Sequence, residues 1–416
     1  MTDAKRRALD LAARYVCPDR VRTFEAMGVD LVIGRREGYR LWDLDGRELL
    51  DFHLNGGVFN LGHRHPEIVA TLRDALDTLD VGNHHFPSLA RAELAETLVG
   101  TMPGELQYAV FSPSGGEAID VAIKSARHAT RRRTVVSIQK GYHGHTGLAL
   151  AAGDERFSRL FLSEASSEDF VQVPFNDLDA MDAALSRHQV AAVVLETIPA
   201  TYGFPLPAPG YLPGVKALCE RHGSLYVADE VQTGLGRTGR MWGVECFDVT
   251  PDILVTGKGL SGGIYPISAT VLAPRAARWL EQDGWGHVST FGGAEVGCRV
   301  AQKVLEITTR PGVLESVQAT SDRLAAGLER VRARYPDWLV EIRRQGVVMG
   351  LRFAHERGGQ LMTRALYDAG LWAMFAGFDT SVLQFKAGIL LDAASCDEAL
   401  SRFEDGVRRC REMLGR

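Results

Sequence analysis

The sequence predicts an α/β fold with polar residues gathered at one edge of its sheet, and three observations support this prediction. A short apolar run at Leu225–Val227 leads to two carboxylates, Asp229 and Glu230. A second run at Ile253–Val255 leads to Lys258, which stands between two glycines. The chain of 416 residues is also long enough for two domains, or for one large domain with an appendage. An acid after one strand and a lysine after another are what an α/β enzyme places at the carboxyl edge of its sheet.

The composition is that of an ordinary globular protein and argues against several function classes. Hydrophobic residues make up 45% of the chain and charged residues 24%, and the formal net charge is −5. This mild acidity does not favour nucleic acid or an anionic membrane as a partner. No apolar stretch approaches the roughly 20 residues that span a bilayer. Six cysteines without CxxC or Cys/His spacing predict free thiols in a reducing cytoplasm and no metal site.

The N-terminal segment predicts helix followed by a β-hairpin. Residues 1 to about 30 have a helical pattern that Pro18 interrupts. The stretch Val32–Phe52 then alternates around Tyr39–Leu41, turns at Asp45-Gly46 and returns through Leu49–Phe52. Alternation on both sides of an Asp-Gly turn is typical of a hairpin.

The middle of the chain predicts strands that end in polar residues. Ser114, Gly115 and Gly116 precede a helical pattern, and small residues at a helix N-terminus leave backbone N–H groups free to bind an anion. Strands are predicted at Thr134–Ile138 and at Val193–Leu195, and the second of these ends in Glu196.

The last hundred residues change character. A long amphipathic helix is predicted from about Pro311 through Tyr335. Strands follow around Val340–Ile342 and at Gly346–Phe353, and a charged helix at Asp397–Met413 ends the chain.

An acid and a lysine at neighbouring strand ends suit pyridoxal phosphate chemistry. This cofactor needs a Schiff-base amine and a carboxylate for its pyridinium nitrogen, which Lys258 and Asp229 could provide. A lone lysine in a surface loop is the ordinary alternative, since lysines are mostly exposed.

The whole stretch from Leu225 to Gly263 resembles the signature of the class III (ω-type) aminotransferases of pyridoxal phosphate fold type I. Further similarities to this family extend over nearly the whole chain, from the Val32–Phe52 stretch to the Gly346–Phe353 stretch. The resemblance implies a large domain with a mostly parallel seven-stranded sheet between helices. It also implies a small α/β domain made from both ends of the chain, with residues 1–55 and 311–416 beside a large domain of residues 56–310.

The resemblance also implies roles for individual residues. It implies no residue that binds a metal ion. Lys258 would carry the cofactor as a Schiff base and move the proton, and Asp229 would pair with the pyridinium nitrogen. Tyr142 would stack on the ring, and Thr290 would reach the phosphate of a neighbouring subunit, which predicts a homodimer. The remaining cofactor-binding residues implied are Ser114, Gly115, Gly116, His143, Glu196 and Gln232.

The sequence departs from this family where substrate is bound. Relatives that take α-amino acids usually carry an arginine that falls at Gln384 here, and several pair it with a glutamate that falls at Thr201. Their joint loss predicts an acceptor that is not a typical α-keto acid. One consistent hypothesis is an oxidised amino sugar of aminoglycoside antibiotic biosynthesis, with glutamate or another amine as donor. His85 and Lys386 are further candidate substrate residues, Lys386 if the register slips by two.

Two other readings stay open at this point. A pyridoxal phosphate epimerase, aminomutase or eliminase (deoxygenation) would use the same lysine, because the outcome depends on groups around the substrate carbon. A relic of the fold that acts as a regulator or binding module is disfavoured, because Asp229, Gln232 and Lys258 are all present.

Overall fold

The computed structural model describes residues 1–163 and 169–415. Its strands fall into a central seven-stranded sheet and two four-stranded sheets. The strands are β1 (Ile33–Glu37), β2 (Arg40–Asp43), β3 (Glu48–Asp51), β4 (Tyr108–Ser112), β5 (Thr134–Ile138), β6 (Phe170–Val173), β7 (Val190–Glu196), β8 (Leu225–Asp229), β9 (Ile253–Thr256), β10 (Ser268–Leu272), β11 (Leu339–Gln345), β12 (Val348–Phe353), β13 (Leu371–Trp372), β14 (Met374–Ala376) and β15 (Asp379–Lys386).

Helices surround these sheets, and short 3₁₀ turns stand at 54–57, 243–247 and 258–261. The helices are α1 (Asp3–Tyr15), α2 (Pro18–Ala26), α3 (Pro66–Leu76), α4 (Leu89–Val99), α5 (Gly115–Thr130), α6 (Gly147–Ala152), α7 (Glu155–Leu160), α8 (Leu178–Arg187), α9 (Tyr211–His222), α10 (Pro274–Ala277), α11 (Trp279–Gln282), α12 (Glu295–Thr308), α13 (Val313–Arg334), α14 (Gly358–Asp368) and α15 (Ala393–Met413).

The central sheet has the strand order β4-β10-β9-β8-β7-β5-β6 and is mostly parallel. Only β10 runs against its neighbours, since it pairs antiparallel with both β4 and β9. The predicted α/β fold and its seven-stranded sheet are therefore confirmed. The strands β5, β7, β8 and β9 are buried along their whole length, which explains why the sequence of each is mostly apolar.

The register of two central strands brings two carboxyl groups together. Strands β7 and β8 are parallel, and their pairing sets Glu196 opposite Asp229 at the carboxyl ends of both. Strand β9 lies on the other side of β8 and ends just before Lys258. The predicted meeting of acid and lysine at one edge of the sheet is what the strand order produces.

The N-terminal hairpin is confirmed and is larger than predicted. Strands β2 and β3 pair antiparallel across the predicted turn, β1 adds a third strand, and β13 pairs parallel with β3 through Leu371 opposite Leu50. The sheet therefore joins the two ends of the chain. Strands β11, β12, β15 and β14 form the third sheet, against which α13, α14 and α15 pack.

Helix α1 is fastened to this hairpin region by a buried lysine. Lys5 Nζ lies 2.8 Å from Asp30 Oδ2, 2.7 Å from Asp43 Oδ2 and 3.2 Å from Asp45 Oδ2. Lys5 is 3% exposed, so its ammonium group is paired rather than solvated.

Among the residues described, no helix is both long and apolar enough to cross a membrane.

Candidate active site

The site is centred on Lys258, which follows β9 in a strained turn. Lys258 has φ of +41°, a left-handed value that is unusual for a residue with a side chain. Backbone approaches this side chain closely, because a Cβ placed on Gly56 would lie 3.0 Å from Lys258 Cε. The loop at 54–57 therefore covers the lysine, and glycine is what allows it to come so near.

Burial changes the protonation of this lysine. Removal from water lowers the pKa of Lys258, and the nearby Arg237 guanidinium adds to the effect, whereas Asp229 and Glu196 oppose it. Within the described residues Lys258 Nζ makes no hydrogen bond. A buried amine with a lowered pKa and no partner is suited to act as a nucleophile and as a base.

Asp229 is held by two hydrogen bonds at the end of β8. Its Oδ2 lies 2.8 Å from His143 Nδ1, and its Oδ1 accepts from the Val231 N–H at 3.1 Å. Burial acts to lower the pKa of His143, but the hydrogen bond and charge of Asp229 outweigh burial and raise it. The hydrogen bond to Asp229 therefore favours the protonated form of the His143 imidazole.

Glu196 lies beside this pair and is anchored to backbone. Its Oε1 accepts from the Tyr142 N–H at 2.9 Å, and its Oε2 accepts from the Ala200 N–H at 3.1 Å. Burial raises the pKa of Glu196 to about 7, with the charge of Asp229 adding to the rise and His143 opposing it. Glu196 therefore changes its charge near neutral pH.

The N-terminus of α5 forms another side of the site. Ser114 caps the helix, since its Oγ accepts from the Glu117 N–H at 3.3 Å. A Cβ on Gly116 would lie 2.8 Å from Thr146 Oγ1, and one on Gly144 would lie 2.7 Å from Gly116 Cα. Backbone thus packs against backbone at this point. The first backbone N–H groups of this 16-residue helix have no acceptor within the helix and can bind an anion there.

These elements enclose a cavity of about 600 Å³, including its open mouth. Eight of the predicted site residues line it: Gly115, Gly116, Tyr142, His143, Glu196, Asp229, Gln232 and Lys258. Four residues that the prediction did not include also line it: Gly144, Ile198, Val231 and Thr233. Gly144, Val231 and Thr233 directly neighbour or flank predicted residues in the chain, and that proximity was the only signal available for them.

The other predicted residues lie outside this cavity. Ser114 has its hydroxyl engaged as the cap of α5. His85 packs against Trp285, with ring centroids 5.3 Å apart, in a second and more open pocket. Thr290 is exposed on the loop that follows this pocket. Among the described residues, none of these three lines the cavity that contains Lys258.

Gln384 and Lys386 lie on β15 and are almost fully buried. Lys386 Nζ donates to Gln384 Oε1 at 2.8 Å, and both side chains are less than 10% exposed. Burial lowers the pKa of Lys386 well below its usual range, and the positive charges of Arg237 and Lys258 add to this effect. The position predicted for a carboxylate-binding arginine therefore holds a neutral amide paired with an amine whose charged form is disfavoured.

Arg237 was missed by the sequence reading. It is 2% exposed, its Nη2 donates to the Gly57 carbonyl at 3.0 Å, and its Nη1 has no hydrogen-bond partner among the described residues. Burial lowers its pKa to about 10. This buried guanidinium explains part of the low pKa of Lys258.

The residues around the cavity fit pyridoxal phosphate. The cavity offers a buried amine, a buried carboxylate and the N-terminus of a helix, which match the aldehyde, the pyridinium nitrogen and the phosphate of the cofactor. Gln232 Oε1 and His143 Nε2 are buried without a hydrogen-bond partner in the described parts of the chain. Buried polar atoms without partners inside a cavity are expected where a polar ligand binds.

Comparisons with known proteins agree with this chemistry. The family model described as "Aminotransferase class-III" matches residues 24–407. An "uncharacterized aminotransferase" of Archaeoglobus fulgidus is 49% identical over 413 residues, which cover 99% of this chain and 96% of that protein. The ornithine aminotransferase from Toxoplasma gondii ME49 is similar in structure, with a TM-score of 0.89 at 25% identity, covering 98% of this chain and 96% of the other.

The N-acetylornithine aminotransferase from Stenotrophomonas maltophilia K279a is also similar in structure. Its TM-score is 0.81 at 26% identity, and the match covers 98% of this chain and all of the other. These matches extend over nearly the whole chain, including both sheets that stand outside the central one.

Proposed function

The chain belongs to the class III aminotransferases and uses pyridoxal phosphate, and from this premise we propose which reaction it catalyses. It moves an amino group from a donor, glutamate or another amine, to a carbonyl acceptor that is not a typical α-keto acid. An oxidised amino sugar of aminoglycoside antibiotic biosynthesis is the acceptor we propose. The observation that carries the proposal is the pair Gln384 and Lys386, which stands where relatives place a carboxylate-binding arginine.

The absence of a guanidinium at Gln384 argues for the acceptor class. A bidentate arginine is the usual partner of a substrate carboxylate, and a neutral amide cannot replace its charge. Lys386 is buried and engaged with Gln384, so it does not restore an exposed cation at this position. Thr201 stands where several relatives carry the glutamate that pairs with that arginine, and it carries no charge either. A site without an arginine at position 384 would repel a cationic sugar less than a site that carries one.

We propose that the cofactor is held by the residues that line the main cavity. When bound, pyridoxal phosphate supplies an electrophilic carbon and a ring that accepts electrons. The N–H groups of Gly115 and Gly116 would hold its phosphate, Tyr142 would lie against its ring, and Gln232 would contact its phenolic oxygen. Asp229, fixed by His143, keeps the ring nitrogen protonated.

The proton transfer falls to Lys258. Its lowered pKa favours the unprotonated form of Nζ, which can take a proton from the carbon that bears the donor amine and return a proton during the transfer. Glu196 holds Tyr142 and the 197–200 turn in place through its two hydrogen bonds to backbone. The loop at 54–57 excludes water from the lysine side of the cavity.

We also propose a homodimer with Thr290 contributing to the partner's cavity. Large apolar side chains are exposed close to Thr290, including Trp285 at 64% and Phe291 at 54%. Contiguous exposed apolar groups are typical of protein interfaces. Light scattering on the purified protein measures the number of subunits, and Thr290→Ala is expected to weaken cofactor binding.

We also propose the division into a large domain of residues 56–310 and a small domain of residues 1–55 and 311–416.

We propose that the protein is located in the cytoplasm, because its cysteines are not paired in disulfides and the cytoplasm is reducing. All six are free thiols, and four of them are buried. Labelling of the protein in intact cells with a thiol reagent, with and without prior reduction, tests this location: equal labelling is expected.

The reaction is tested by the absorbance spectrum of the purified protein before and after addition of amines. The panel contains glutamate, simple ω-amines and aminoglycosides, and the products are examined for a new carbonyl. A visible cofactor band that responds to one class of donor and yields a keto product supports transamination and identifies that class. A response to amino sugars without a keto product, or turnover without a keto co-substrate, would instead favour epimerisation, aminomutation or elimination.

A further inference from the structure

Four aromatic side chains form a continuous cluster at the mouth of the main cavity. The ring of Tyr142, which lines the cavity, lies 5.4 Å from His145 and 5.9 Å from Phe157, centroid to centroid. His145 and Phe157 are 4.8 Å apart, and Phe157 is 5.7 Å from Phe378. The contacts of Phe157 with Tyr142 and His145 are edge to face, which is a favoured geometry for such pairs. We call these four residues the aromatic wall.

The wall is built from two distant parts of the chain. Tyr142 and His145 follow β5 and Phe157 lies in α7, whereas Phe378 lies in the tight turn between β14 and β15. The Phe378 N–H donates to the Thr201 carbonyl at 3.0 Å, and a Cβ on Gly377 would lie 3.3 Å from Thr201 Cγ2. Thr201 therefore supports the turn that presents Phe378.

A cation fixes the outer ring of the wall. The Arg156 guanidinium carbon lies 3.9 Å from the centroid of Phe378, close enough for a cation–π interaction. The same guanidinium pairs with Asp154, its Nε lying 3.2 Å from Asp154 Oδ1. The positive charge of Arg156 is thus already matched, so that it holds a ring in place and is not a free anion site.

The wall remains open to solvent although its members contact one another. Tyr142, Phe157 and Phe378 are only half-buried, and His145 is exposed. Rings that served only to join two parts of the core would be buried like Phe52 and Phe385, whose centroids are 4.6 Å apart and which are fully covered. The wall therefore keeps accessible aromatic surface next to Tyr142, which lines the cavity that contains Lys258.

We propose that the aromatic wall is the subsite for a ring in the substrate. Aromatic faces bind the C–H face of a saturated ring, whether sugar or carbocycle, through apolar contact and without using charge. The position of Tyr142 places such a ring next to the reacting carbon if that carbon is near Lys258, so this inference rests on the proposed function. The enzyme would then select its substrate by the shape of a ring that contacts Phe378, and not by binding a substrate carboxylate with an arginine at position 384.

The test compares ring and open-chain amines on the holoenzyme. Cyclohexylamine and glucosamine carry a six-membered ring, and n-hexylamine has the six carbons of cyclohexylamine without the ring. For each amine, the concentration that half-saturates the change in cofactor absorbance is measured in the wild type, Phe378→Leu and Phe378→Tyr. Phe170→Leu is the matched control, because Phe170 also lies beneath an arginine, Arg127, at 5.4 Å, but at the start of edge strand β6.

We expect Phe378→Leu to raise the half-saturating concentration of a ring amine about three- to tenfold, since one aromatic contact is lost. The value for n-hexylamine stays unchanged, Phe378→Tyr restores ring binding, and Phe170→Leu behaves as the wild type. A response with glucosamine alone identifies a sugar, and a response with cyclohexylamine alone identifies a carbocycle. Equal effects of Phe378→Leu on ring and open-chain amines, or no effect on either ring, would overturn the proposal.

A second measurement separates this proposal from the proposed reaction. Saturation-transfer NMR with methyl glucoside and cyclohexanol, which have no amine, reports ring binding without chemistry. Transfer to either probe that is lost in Phe378→Leu supports the wall even if no amine is turned over, and then only the reaction is refuted. Transfer that does not depend on Phe378 overturns the wall even if transamination is found.

Discussion

Replacement of Glu196 by glutamine should remove a large part of the pH dependence of stability in the cofactor-free protein. Burial raises the pKa of Glu196 from 4.5 to about 7 in the folded chain. Because the folded pKa is the higher one, the stabilising contribution is fully present below about pH 4.5 and is lost as the pH rises through about 7. Each pKa unit corresponds to about 1.4 kcal/mol, so ionised Glu196 costs roughly 3 kcal/mol in the folded state.

In the glutamine variant the loss of folding stability at this position does not depend on pH. Both carboxylate oxygens of Glu196 accept from backbone N–H groups, and glutamine turns one of these acceptors into a donor. Leaving one buried N–H without an acceptor costs about 1–3 kcal/mol at every pH. Relative to the variant, the wild type should therefore lose about 2–3 kcal/mol of stability between pH 5 and pH 8.

Urea unfolding of the cofactor-free protein, followed by circular dichroism at pH 5, 6, 7 and 8, measures this difference. Glu105→Gln is the control, because Glu105 is exposed and its replacement removes a carboxylate without changing the site. A difference between wild type and Glu196→Gln that stays constant over this pH range would refute the reasoning. It would mean that Glu196 keeps the same charge from pH 5 to pH 8 in spite of its burial.

Three further predictions concern the site and the residues that support it. Lys258→Ala should abolish both the visible cofactor band and turnover, and a variant that keeps the band would show that another residue carries the cofactor. Glu230→Ala should lower the free energy of unfolding by about 3–5 kcal/mol, because this buried carboxylate accepts from two hydroxyl and two backbone N–H groups. Urea unfolding measures this loss, and a loss below about 1 kcal/mol would contradict a structural role for Glu230. Gly388→Ala should lower the melting temperature, since its Cβ would lie 2.0 Å from Tyr39 Cε1 and the clash costs about 1–3 kcal/mol; an unchanged melting temperature would mean that the Tyr39 ring can move aside.

The sequence was most informative where local pattern and fold agree. The strand predicted at Thr134–Ile138 is found with the same bounds, because a fully buried parallel strand is mostly apolar and more polar residues flank it. Lys258 and Asp229 could be predicted to meet because the carboxyl ends of parallel strands share one edge of the sheet.

Other features could not be predicted because they depend on contacts between distant residues. Strand β13 has two residues, too few for any periodicity, and its partner Leu50 is more than 300 positions away. Arg237 reads as an exposed arginine in a glycine-rich loop, and nothing local indicates that the fold encloses it. The position of Phe378 against Phe157 likewise depends on how the β14–β15 turn meets α7.

The burial of lysine in this protein has a practical consequence for its chemical attachment to surfaces. Of the seven lysines in the sequence, Lys5 and Lys386 are buried and Lys258 is half-buried in the cavity, whereas Lys124 and Lys140 are exposed. The two others are half-buried, and the remaining 40 of the 47 basic residues are arginines, which active esters do not modify. Immobilisation through amine-reactive supports would therefore attach the enzyme at few points and in a narrow range of orientations, while the lysine that the reaction needs stays protected.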